Sequence, residues 1–153
     1  MDQILKIENL KVSFPTEDGI VHAVDSLNLE LYAGETVALV GESGSGKTVT
    51  SLSVMGLHNP RTTQITGSIK IQDGDEIVDV VSGSSNKVRL LRGRVVSMVF
   101  QDPMSSLHPF YKIGDQLAEA YLVHNPGKKK EAKARAIELL DRVGIPDPQK
   151  RSS

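Results

Sequence analysis

The stretch Gly41-Glu42-Ser43-Gly44-Ser45-Gly46-Lys47-Thr48 restricts the possible folds of this chain more than any other. It fits the pattern GxxxxGK(S/T), in which each fixed position has a physical task. Glycines let the backbone curl so that successive amide N–H groups point inward at phosphate oxygens, and the helix that follows adds its positive N-terminal end. Lys47 is then placed to reach β- and γ-phosphates, and the Thr48 hydroxyl to ligate a Mg²⁺ bridging them. Glu42 and Ser43 stand at variable positions and are expected to supply only backbone donors. A random chain of this length would match about once in two hundred. The flanks sharpen the reading. Thr36 to Val40, TVALV, is a short apolar run expected to be a strand buried on both faces, and Thr48 to Leu57 has no Gly or Pro until Gly56. Strand, glycine loop, helix is the order the motif needs.

The remaining chain divides at its Gly and Pro residues. Ile4 to Phe14 and Val21 to Tyr32 read as strands, the second with Leu27, Leu29 and Leu31 on one face, and Gly34 marks a turn. Gly67 to Val81 alternates as a hairpin turning at Asp73-Gly74. Arg92 to Phe100 supplies a second expected buried strand, VVSMVF. The period then changes to that of helices. Ile113, Leu117, Ala120 and Tyr121 form one stripe, and Ala132, Ala136, Leu139, Leu140 and Val143 another; Asn125-Pro126-Gly127 turns between them, and Gly144 with Pro146 stops the second. At 153 residues this is material for one ordinary core. A formal net charge of −1 gives no bulk attraction to nucleic acid, and the run Lys128 to Lys130, followed by Glu131, reads as a solvated helix start. No cysteine is present, hence no disulfide and no thiolate site, and cytoplasm is the expected compartment. The first residues lack the pattern of a signal peptide, and no apolar run approaches the ~18 residues of a membrane span. His22, His58, His108 and His124 have no ligand-like spacing and read as surface or loop histidines.

The loop alone fits GTPases, small kinases, helicases and transport ATPases. Three further features separate them: Phe14 upstream of the Gly34-Glu35 turn, the string Val99-Phe100-Gln101-Asp102-Pro103 ending an apolar run, and the fuller Leu91-Arg92-Gly93 with Ser97-Met98-Val99-Phe100-Gln101-Asp102-Pro103-Met104-Ser105-Ser106-Leu107-His108-Pro109. In these the chain resembles an ABC-transporter ATP-binding subunit, and specifically the peptide, opine and nickel importer branch. The likeness runs from Leu5 to about Lys150. It implies an α/β fold: a P-loop NTPase (ABC ATPase) core with an N-terminal antiparallel β-subdomain in residues 1–101, and a Q-loop with the start of a helical subdomain in residues 102–153. It also implies that Phe14 stacks on adenine, although by itself Phe14 reads more often as a core aromatic. Gln101 would be the Q-loop glutamine, meeting Mg²⁺ and the attacking water; an amide suits that place because it offers donor and acceptor without charge.

The resemblance further implies Mg-ATP as ligand and coupling of ATP hydrolysis to peptide transport. Membrane-spanning permease subunits and a second ATP-binding subunit would be partners, on the inner face of the cell membrane. The family's LSGGQ-like signature, Walker B carboxylates and switch His do not occur in these 153 residues. On this reading the end at Arg151-Ser152-Ser153 is a truncation, hydrolysis by the chain alone is negligible, and uncovered strand edges make it marginally stable. The alternative expectation is a catalytically incomplete fragment that retains nucleotide binding only. A small kinase would want acceptor and lid residues after the loop, which the hairpin and the Gln101 string replace.

Overall fold

The computed structural model describes residues 2–102 and 106–153. Part of the string after Gln101, namely Pro103, Met104 and Ser105, lies outside the described residues. The chain forms two compact units, Met1–Met98 and Val99–Ser153.

The first unit is organised by an antiparallel sheet of order β2-β1-β3-β4. Strand β1 (Gln3–Thr16) pairs with β2 (Gly19–Tyr32) on one side and with β3 (Gln64–Asp73) on the other, and β3 turns at Gly74 into β4 (Glu76–Asp79). The expected first strands and hairpin are therefore present. Leu27, Leu29 and Leu31 are half-buried and alternate with exposed Ser26, Asn28 and Glu30. What alternation did not reveal is a bulge in β1. Asn9 takes a left-handed φ of 49°, its N–H donates to Asn28 Oδ1 at 2.8 Å, and the register shifts between Ile7 and Leu10. The extra residue lets Ile7 before it and Leu10 and Val12 after it all face the core. Ile69, Ile71 and Val78 join them from β3 and β4.

Two helices cover that core: α1 (Lys47–Val54), through Val49 and Val54, and α2 (Ser85–Leu91), through Val88 and Leu91. Helix α2 begins where the Ser84 hydroxyl accepts from Lys87 N–H at 3.4 Å, a side-chain N-cap. At its end Arg92 leaves the helix, donating from Nε to Met55 O at 2.8 Å and from Nη2 to Gly56 O at 2.5 Å. One guanidinium thus satisfies two carbonyls at the C-terminal end of α1.

Two expected strands do not form. Residues 35–42 are without helix or strand, and Val37, Leu39 and Val40 are exposed, Val40 by 94%. A strand buried on both faces needs a ladder neighbour on each edge, whereas the four strands of this sheet pair only with one another. The segment 92–100 fails for a different reason. Val95 and Val96 N–H both donate to Leu91 O, and Gly93 N–H to Val96 O at 2.8 Å, so a tight turn uses the amides a ladder would need. Only an isolated bridge joins Arg92 to Val96, and Val99 is 91% exposed.

The second unit contains α3 (Ile113–His124), α4 (Lys129–Arg142) and α5 (Pro148–Arg151). The long helices fall where the 3.6-residue period put them, with Gly144 at φ 79° ending α4. Burial of α4 follows Ala132, Ala136 and Leu140, while Val143 is exposed. On α3 the stripe is rotated: Gly114 and Ala118 are its buried positions and Ala120 is exposed. Small residues at these places let helices approach closely, and the Tyr121 hydroxyl donates to Glu131 Oε1 across the turn.

Candidate functional site

The glycine loop runs into α1 at Gly46, which has φ 85° and ψ 1° and serves as N-cap without a side-chain hydrogen bond. A Cβ there would meet Ala23 O at 2.4 Å, so glycine is required both by the left-handed backbone and by the close approach to β2. A Cβ on Gly41 would meet Ser45 Oγ at 2.5 Å, which fixes the other end of the loop as glycine by lack of space. Between them Gly44 is also left-handed, and Ser45 N–H donates to Glu42 O at 3.2 Å.

Lys47 folds back across the loop. Its Nζ donates to Gly41 O at 2.6 Å, to Glu42 O at 2.7 Å and to Ser45 Oγ at 3.1 Å, which uses all three ammonium hydrogens. Glu42, Ser43 and Thr48 are exposed. The first turn of α1 carries no acidic side chain to compete for its N-terminal amides. A cleft of about 590 Å³ opens beside the loop, lined in part by Val24, Leu39, Val40, Ser45, Lys47 and Thr50. The donors suit an anion: curled backbone amides, a helix N-terminus and an ammonium. Thr48 offers an exposed hydroxyl oxygen, the hard donor that Mg²⁺ takes. Among the described residues no cluster of three His, Asp or Glu could hold a metal without help from a ligand.

Phe14 lies in the same unit, half-buried near the end of β1, opposite Val21 and packed against the core cluster. Its ring meets His58, centroids 6.0 Å apart at 65° in an edge arrangement. His58 is thus more than the surface or loop histidine of the sequence reading. Its Nε2 lies 3.0 Å from both Val49 O and Ser53 Oγ on α1. No spacing rule signals its contact with Phe14, 44 residues earlier in the chain. Gln101 belongs to the second unit, where it is exposed at a bend.

A glycine loop closed on a lysine at the head of a helix defines the class of phosphate-binding-loop proteins. The pattern of the ABC transporter family matches residues 24–153, and the chain belongs to that family. It is 45% identical to the dipeptide transport ATP-binding protein DppD of Bacillus subtilis (strain 168), over 99% of this chain and 44% of that protein. Against the oligopeptide transport ATP-binding protein AppD of the same organism it is 47% identical, over 95% and 43%. The oligopeptide transport ATP-binding protein OppD of Mycobacterium tuberculosis (strain ATCC 25618 / H37Rv) is 45% identical, over 99% and 24%. The chain therefore spans less than half the length of these relatives. Among solved structures it is similar to the dimeric bacterial ABC transporter cassette MJ0796, with TM-score 0.73 and 22% identity over 90% of this chain and 56% of that one. A post-hydrolysis state of MJ0796 bound to ADP and Pi gives 0.71. At that identity the likeness speaks for the fold, an α/β ABC cassette. None of the described helices is long and apolar enough to cross a membrane.

Proposed function

We propose that this chain is the Mg-ATP-binding part of an energy-coupling subunit of a peptide importer. The observation that carries the reading is the opening of α1 at a left-handed Gly46, with its N-terminal amides uncapped beside Lys47 and the exposed Thr48 hydroxyl. Amides of Gly41 to Lys47 would hold the phosphates, Lys47 the β- and γ-phosphates, and Thr48 and Gln101 the metal. Phe14 would meet the adenine. When bound, the cation would supply charge neutralisation to the phosphates. Gln101 would orient the water that attacks, and the segment from Asp102 to Val143 would pass the resulting motion to permease subunits. Closure would need a second ATP-binding subunit, and the place of work would be the inner face of the cell membrane. The similarity to the dipeptide and oligopeptide transport ATP-binding proteins DppD, AppD and OppD supports the peptide branch.

A second reading, binding without turnover, is favoured for these 153 residues taken by themselves, because none of the family's signature or Walker B strings occurs in them. Calorimetry with Mg-ATP on the purified chain and on Lys47→Ala, with phosphate release followed in the same samples, separates the two. Binding that vanishes in Lys47→Ala without phosphate release supports the second reading, and turnover supports the first. No binding by the unaltered chain would remove both.

A further inference from the structure

His58 joins two parts of the molecule that the proposed site uses for different ends of one ligand. Val49 O can only accept, so the Nε2 beside it carries the proton and is shared with Ser53 Oγ, 3.0 Å from each. Ser53 in turn donates to Val49 O at 2.8 Å. Both partners sit on α1, the helix that Lys47 and Thr48 begin. The imidazole ring meets Phe14 in the edge arrangement favoured by aromatic quadrupoles. The ring is held by its hydrogen bonds and by Phe14.

We propose that His58 is a positioning residue for the base of the bound nucleotide, bracing the Phe14 ring and fixing it to the phosphate-binding helix. This rests on the reading that Phe14 meets the adenine. The phosphates should be less sensitive to it, since the partners of His58, Val49 O and Ser53 Oγ, are not among the groups proposed to hold them.

The experiment compares ATP with tripolyphosphate, which carries no base, on the chain and on two variants. His58→Gln keeps an N–H donor without the ring, and His58→Phe keeps a ring without the N–H. Each is expected to weaken ATP by roughly three- to tenfold, the scale of one aromatic pair, while tripolyphosphate is unchanged. In a Phe14→Ala background His58→Gln should add no further loss. Parallel loss of both ligands would reduce His58 to a structural cap of α1 and overturn the proposal, as would unchanged ATP affinity in both variants. A misfolded variant falls under the first of these outcomes, because tripolyphosphate binding reports the folded loop. Failure of the unaltered chain to bind either ligand would instead overturn the nucleotide reading itself.

Discussion

Glu8 lies on the solvent side of β1, 2.8 Å from both Lys6 Nζ and Lys70 Nζ. Hydrogen bonds from those two ammonium groups hold its carboxyl at about 2, well below the usual glutamate range. The unfolded chain would protonate the same group near ~4.3, so its contribution to stability is present above that pH and is lost as pH falls toward 2. Carboxyl-resolved NMR titration should find its midpoint near 2, and Lys70→Ala should move it upward. Because the group is exposed, the accompanying change in stability is small. Individual residues differed in how far the sequence betrayed them. Gly41, Gly46 and Lys47 were legible because each occupies a place only its chemistry can fill. His58 was not, since its ring partner Phe14 becomes a neighbour only after the sheet and α1 have packed.

Helix α1 shows how little of an element's stability lies in its own residues. It has no side-chain cap at its start, and at its end two carbonyls depend on Arg92. Arg92→Ala should lower stability by about 1–3 kcal/mol, the range for hydrogen bonds made by a charged donor, readable as a fall in denaturation midpoint with unchanged slope. Arg92→Lys should recover only part, since an ammonium cannot reproduce the guanidinium fork. Amphipathic helices and the hairpin were visible in the sequence because their period and turn are local. The runs 36–40 and 92–100 were misread as strands because apolar composition states a capacity for pairing, whereas a strand exists only where a second chain segment lies alongside.

At the scale of the molecule, that unpaired capacity becomes exposed surface. Val37, Leu39 and Val40 are all exposed, in a protein whose sheet offers them no ladder. The chain is expected to self-associate as concentration rises, and Val40→Lys, at a position 94% exposed, should suppress this with little effect on stability. Light scattering on the two proteins across a dilution series checks it; equal association in both would exonerate this segment. The antiparallel sheet and paired helices followed from the sequence. Lys47, bound to Gly41 O, Glu42 O and Ser45 Oγ, carries a last implication for the proposed activity. The loop already houses a ligand of its own. An incoming triphosphate would compete against a tethered rival present at high local concentration, so the measured dissociation constant would understate the grip of the loop once the lysine has changed partners.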